Sequence, residues 1–296
     1  MKSASVRSTA LATALATVLT GAAACTSSGS PESPGRSATH LRALAALRTA
    51  ERSTDRADSA RVESTTAMGS LMSMTADGTL SWADGIAGTL TITYTGGTMA
   101  DTMRRLGTTS MEARYLPDAY YARMGDAFAE KTDGKHWIRY AYDDLEDLGG
   151  GSGAYLKDQM RNTTPNQSVN LLLASGDVRR IGEERVRGER TTHYSGTVDV
   201  ADLTAENSDL DQNRLADLRE QLTQAGVTTQ TVDIWVNDRD LLVKKVEKGE
   251  MATGELTQTA YYSDYGVRAS ARKPPAGDTE DFRNLLKRDG GLGGTS

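Results

Sequence analysis

Leu41, Leu44, Ala45 and Leu47 recur at the spacing of one helical face, with Arg42, Arg48, Glu51 and Arg52 at other positions. They predict an amphipathic helix from Leu41 to about Asp58. Beyond it the period falls to two. Leu90-Thr91-Ile92-Thr93-Tyr94 alternates as a strand buried on one face does. Segments 60–70 and 76–83 read as two strands meeting at Asp77-Gly78 or a neighbouring turn, and Asp84-Gly85 marks a further hairpin. More strands are expected at 110–116, 119–124 and 136–141.

A helical interruption follows. Gly149-Gly150-Gly151-Ser152-Gly153 reads as a hinge, Tyr155 to Met160 as a short helix, and 166–174 as a second helix carrying Leu171, Leu172 and Leu173. Strands resume at 177–186 and 190–199 around Arg187-Gly188. Ser208 is placed to cap another helix, with the stripe Leu210, Leu215, Leu218 and Leu222 and a terminating Gly226. Three last strands fall at 229–237, 240–248 and 254–263, where Val232, Ile234 and Val236 alternate before the Asn237-Asp238 turn. The tail after Ala276 is polar and loosely held, although Phe282, Leu285 and Leu286 could dock as a short helix. Short turns between neighbouring strands make them antiparallel, and no βαβ alternation is present. The fold class predicted is α+β: a strongly curved antiparallel sheet, an incomplete β-barrel, with helices covering its concave face.

Composition adds an address. Of 296 residues, 38% are hydrophobic and 25% charged, too polar for a multispan membrane protein. Lys2 and Arg7 precede a run from Thr9 to Ala24 with no charge, short and weakly apolar, as a secretory signal is. The small residues Gly21-Ala22-Ala23-Ala24 end at Cys25, the only cysteine. This resembles the bacterial lipoprotein lipobox, in which the Cys receives a diacylglyceryl group and becomes the mature N-terminus; the family prefers Leu where Ala22 stands. The competing reading is ordinary cleavage after Ala24 and release of a soluble chain. Two acyl chains, at about 0.8 kcal/mol per buried CH₂, anchor where one would not. The expected organisation is signal peptide 1–24, lipidated Cys25 and flexible stalk 25–39, one domain 40–276 and a polar tail 277–296. Loss of Lys2 and Arg7 with the signal takes the net charge from −6 to −8, so the anchor and not a basic patch must hold the protein on the outer face of the cytoplasmic membrane.

The body of the chain resembles the LolA-like exported lipoproteins, in particular the actinobacterial LppX/LprG-type branch. The resemblance rests on the order of weak motifs. These are Gly134-Lys135-His136-Trp137, the run from Asp177 to Gly188, Thr191-Thr192-His193-Tyr194-Ser195-Gly196, Val232-Asp233-Ile234-Trp235-Val236-Asn237, and Tyr262-Ser263-Asp264-Tyr265-Gly266 before Lys273-Pro274-Pro275. It implies a half-barrel with an apolar cavity that carries lipids, lipidated proteins or glycolipids, or a sensor built on that fold. The residues permit such a cavity. Met68, Trp82, Ile92, Tyr94 and Ile234 are expected to line it, with Leu171, Leu172 and Leu173 as a helical cover. Ten Met and 11 Tyr against 2 Phe suit an adaptable apolar surface with polar tips at its mouth. The function expected is binding of a lipid or acyl chain for transport or presentation. The alternative is a protein-interaction or sensory module whose cavity its own side chains fill.

Chemistry is scarce. Ser195, His193 and Asp199 occupy alternate positions of one strand, which does not converge them into a triad. With 3 His, one Cys and no paired-His spacing, neither a metal site nor a cofactor is expected. The glycine run lacks the Lys-Ser/Thr of a phosphate loop, and the acid cluster at 143–147 lacks EF-hand spacing. Net negative charge and 5% aromatics speak against a nucleic-acid partner. No enzymatic role is expected.

Overall fold

The computed structural model describes residues 34–146, 164–176, 178–200, 212–224, 226–251 and 254–288. Cys25, the hinge glycines, the helix expected at 155–160 and the Ser208 cap lie outside them. Helix α1 (Pro34–Arg56) begins inside the segment expected as a stalk, since proline lacks the N–H that a first helical turn leaves unpaired. It buries Ala43, Leu44, Leu47, Ala50 and Thr54, the spacing of one face, and ends before Asp58, which takes φ 61°.

Twelve strands then form one sheet: β1 (Ser59–Met68), β2 (Met72–Ser81), β3 (Ala87–Gly96), β4 (Ser110–Leu116), β5 (Ala119–Arg123), β6 (Trp137–Ala141), β7 (Arg179–Val186), β8 (Glu189–Asp199), β9 (Val227–Asn237), β10 (Leu242–Met251), β11 (Gly254–Ser263) and β12 (Thr279–Asp281). Their spatial order is β12-β6-β5-β4-β3-β2-β1-β11-β10-β9-β8-β7, so the sheet curves strongly and stays open between β12 and β7. Every pairing is antiparallel except β12 on β6. Between the strands lie α2 (Gly97–Arg105), α3 (Asp126–Ala129), α4 (Tyr142–Glu146), α5 (Pro165–Ala174), α6 (Gln212–Gln224) and, after β12, α7 (Phe282–Arg288).

One turn expectation and one about the tail need correction. Asp77-Gly78 lies inside β2 and not at a turn; the β1–β2 hairpin closes at Gly69, whose φ is 46°, with Leu71 N donating to Met68 O. Gly78 is glycine for another reason: a Cβ there would sit 2.1 Å from Thr89 O, and one on Gly88 would sit 2.1 Å from Thr79 O. This close diagonal pair lets β2 and β3 bend together, a common device for curving a sheet. The tail past Ala276 is also better held than its polarity suggests, since β12 and α7 dock on the β6 edge.

Alternation sorts the sheet into two faces. The convex face is rich in threonine, including Thr75, Thr89, Thr91, Thr231 and Thr257. The concave face holds Leu80, Leu90, Ile92, Val232 and Ile234, in one core with α1 and with Val169, Leu171, Leu172 and Leu173 of α5. Helix α6 adds Leu215 and Leu222 to that core.

Candidate functional site

The concave wall is a set of cross-strand rows. At the end bearing the β1–β2 and β10–β11 hairpins, Leu256 pairs with Met68 and Met68 with Met72. One row deeper, Gln258 pairs with Thr66, Thr66 with Met74 and Met74 with Tyr94. A third row runs Lys245, Ala260, Ser64, Ala76, Ile92 and Met111. Deeper rows bring Val62, Leu80, Leu90 and Tyr115. Helices α1 and α5 close the deep end, where Leu47, Leu80, Leu172, Ile234 and Leu242 are buried. At the hairpin end Met68, Met72, Met74, Tyr94, Met251 and Leu256 face inward yet remain only half-buried.

The residues expected to line a cavity divide accordingly. Met68, Ile92, Tyr94 and Ile234 share the concave face, Met68 and Tyr94 at its accessible end and Ile234 fully buried. Leu171, Leu172 and Leu173 are all buried in α5. Trp82 is buried at the opposite end: its indole N–H donates to Thr54 O and Asp55 O, both at 3.2 Å, and its ring meets Tyr265 edge-on. It therefore satisfies carbonyls that the C-terminus of α1 would leave unpaired.

A polar cluster interrupts the apolar wall. Glu247, buried on β10, accepts from Lys245 Nζ at 3.1 Å, from Gln230 Nε2 at 3.2 Å and from the Ser168 hydroxyl of α5. Burial works against the charge of Lys245, but the adjoining Glu247 carboxylate together with the Tyr262 phenol outweighs it and raises the lysine pKa. Period-two reading missed this pair. Leu242 faces the core, so alternation would turn Lys244 and Val246 inward. A bulge between Leu242 and Lys244 reverses the register: Val243 and Lys244 both lie on the convex side, and Lys245 and Glu247 turn in.

The convex side carries the remaining candidates. His193 stacks on Trp235 at 4.2 Å, with Nε2 2.8 Å from Asp233 Oδ1, and among the described residues it has no hydrogen bond to Ser195. A depression of about 510 Å³ lies at the hairpin end of β9, β10 and β11, bordered by Thr229, Thr231, Lys248, Glu250 and Glu255 and by Met251 of the concave side. Asp144 of the acid cluster pairs with Arg283 at 2.6 Å. Among the described residues no group of three or more His, Cys, Asp or Glu is placed to hold a metal ion, and no helix is long and apolar enough to cross a membrane.

Comparison with known proteins places this geometry. No family model matches the chain. A Streptomyces coelicolor protein named "Putative lipoprotein SCO4650" is 64% identical over 245 residues, covering 83% of this chain and 77% of that protein. A Streptomyces griseus protein, named for its place in the rplA-rplJ intergenic region, is 58% identical over 254 residues, 86% of this chain and 83% of its own. Among solved structures, LprF from Mycobacterium bovis is 15% identical, covers 80% of this chain and 98% of its own, and has a TM-score of 0.48. Mycobacterium tuberculosis LppX is 14% identical over 78% of this chain and 99% of its own, with a TM-score of 0.45. The fold is an open, strongly curved and mostly antiparallel half-barrel with helices on its concave side. The chain belongs to the family of Streptomyces proteins that includes this S. coelicolor protein and the S. griseus protein.

Proposed function

We propose that this lipoprotein is anchored through acylated Cys25 on the outer face of the cytoplasmic membrane and holds a lipid or acyl chain against its concave wall, for transport or presentation. One observation carries the reading: Met68, Met72, Met74, Tyr94, Met251 and Leu256 point inward but are only half-buried, while the rows behind them are sealed by α1 and α5. Apolar side chains turned into a concavity and left partly uncovered gain by covering, at about 25 cal/mol per Å² removed from water. Methionine suits that task, since its unbranched, polarizable side chain adapts to an irregular chain. Ile92 and Ile234 form the floor, and Leu171, Leu172 and Leu173 belong to the helical cover.

Native mass spectrometry of gently extracted protein tests the reading. The expected result is a co-purifying lipid adduct, displaced when Met74 and Tyr94 are both changed to Asp. Bare polypeptide, both as extracted and after incubation with membrane lipid, would favour a protein-interaction module on the same fold. Attachment is tested separately: Cys25→Ala should release the protein into the medium, and its retention on the membrane would refute the anchor.

A further inference from the structure

The Lys245–Glu247 pair is an unusual feature for a wall that holds only hydrocarbon. Taking two opposite charges out of water is seldom repaid by their attraction, and apolar residues of similar size would serve packing as well or better. The two partners are also unequally satisfied. Glu247 has three donors, from Ser168, Gln230 and Lys245, spread over both carboxylate oxygens. Lys245 is 7% exposed, and among the described residues its ammonium donates one hydrogen bond, to Glu247 Oε1. An ammonium has three N–H donors, and a buried donor without an acceptor is costly. The spare capacity at this point is therefore for an acceptor oxygen.

The side chains beside it in the same row are small. Along its row Lys245 is followed across the sheet by Ala260, Ser64 and Ala76, three small side chains in succession, before Ile92. That shallow strip lies just behind Met74 and Tyr94, at the inner limit of the half-buried mouth. We propose that Lys245 receives the acceptor oxygen at the polar end of an acyl chain, a free carboxylate or an ester carbonyl, with the chain lying over the Ala260–Ser64–Ala76 strip towards the methionines of the mouth. This rests on the reading of the concave face as a lipid site and specifies the ligand class: an acyl lipid entering polar end first, not a bare hydrocarbon. Ser168 and Gln230 hold the Glu247 carboxylate so that it keeps Lys245 charged without using all of its donors.

The test compares three fluorescent probes on the full exported chain carrying Cys25→Ala, so that no anchor acyl group competes: cis-parinaric acid, its methyl ester, and the oxygen-free diphenylhexatriene. Lys245→Met removes the donor but strands Glu247, so the decisive variant is Lys245→Met with Glu247→Gln, whose amide oxygen still accepts from Gln230 Nε2 while its NH2 donates to the Ser168 hydroxyl. Thermal unfolding and circular dichroism establish that it folds. The double variant should lose about tenfold or more in affinity for the acid, as expected when a charge-assisted hydrogen bond is removed, and hold diphenylhexatriene within about twofold. Loss for the acid alone identifies a carboxylate ligand; loss for acid and ester identifies a carbonyl. Equal affinity of wild type and variant for all three probes, or an equal loss for all three, overturns the role of Lys245 and leaves the lipid site standing. Failure of the wild type to take up any probe overturns both.

Discussion

Lys135 Nζ lies 2.7 Å from Glu280 Oε2, and the glutamate side chain is only 2% exposed. The pair fastens the C-terminal strand to the sheet. Its neighbours repeat the arrangement: His136 N–H donates to Asp278 Oδ1 at 2.8 Å, and Arg139 Nη1 to Asp281 Oδ2 at 2.8 Å. The hydrogen bond from Lys135 holds the Glu280 carboxyl below its ordinary value of 4.5. A carboxyl depressed in the folded state contributes stability above its unfolded pKa, and that contribution fades as pH falls through the folded one. Residues 279–288 should therefore undock as the pH drops below about 4.5, before the rest of the sheet opens. Lys135→Ala should reproduce the effect at neutral pH, costing about 1–3 kcal/mol, less than a fully buried pair because the lysine is partly exposed. Hydrogen exchange at Thr279–Asp281 reads both; unchanged protection in the variant would refute the clamp.

Alkaline pH should act at a different place. Tyr115, Tyr120 and Tyr140 pack in series on the concave face, with ring centroids 5.0 Å and 5.7 Å apart, and Phe282 of α7 lies 4.6 Å from Tyr140. Burial raises the Tyr140 phenol from 10.0 to about 12 and pushes Tyr120 well up in the same direction. A folded pKa above the unfolded one means stability that is complete below pH 10 and lost as pH climbs towards the folded value. Phenolate absorbance should thus appear in two stages, exposed tyrosines first and these three only with unfolding. Smooth titration of all 11 tyrosines near their ordinary value in still-folded protein would contradict the packing.

Much of the architecture was legible because alternation survives where one face is buried. Met111, Ala113 and Tyr115 mark β4 unambiguously, and Arg187-Gly188 marks a two-residue hairpin, both residues having positive φ. The failures have separate causes. Asp77-Gly78 carries a turn dipeptide inside a strand, because that glycine serves the close approach of β3 to β2. Helix α2 buries only Ala100 and Met103, too short a stripe to stand out. The pairing of β12 with β6 joins segments some 140 residues apart, and no local pattern encodes it. Within the candidate site, Ile92, Tyr94 and Ile234 follow from alternation, whereas Lys245 and Glu247 stay hidden because one bulge inverts their faces.

The Gly78–Gly88 approach makes the curvature testable. A methyl on Gly78 would fall 2.1 Å from the Thr89 carbonyl oxygen, a contact that only backbone movement relieves. Gly78→Ala should destabilise the domain by about 2 kcal/mol or more. The two strands must then separate or flatten locally, so protection of the Thr79 and Thr89 amides should fall further than that of β9 and β10. A variant as stable as the parent in urea would show that the bend arises elsewhere.

Trp82 separates packing from ligand contact. It fills the deep end of the core, and its indole N–H serves two carbonyls at the end of α1, while Thr54 in turn accepts from Leu242 N at 3.2 Å. One side chain thus ties the covering helix to the end of β2, beside the point where β10 meets the same helix turn. Trp82→Phe keeps most of the apolar fill and removes the donor, leaving two helix-end carbonyls to share what water can reach. The expected loss is about 1–2 kcal/mol in denaturant unfolding. Because the accessible mouth lies at the other end of the strands, among Met68, Met74 and Tyr94, probe affinity should stay within about twofold once the protein is folded. Weakened binding with undiminished stability would reverse the assignment and make Trp82 part of the lipid contact surface.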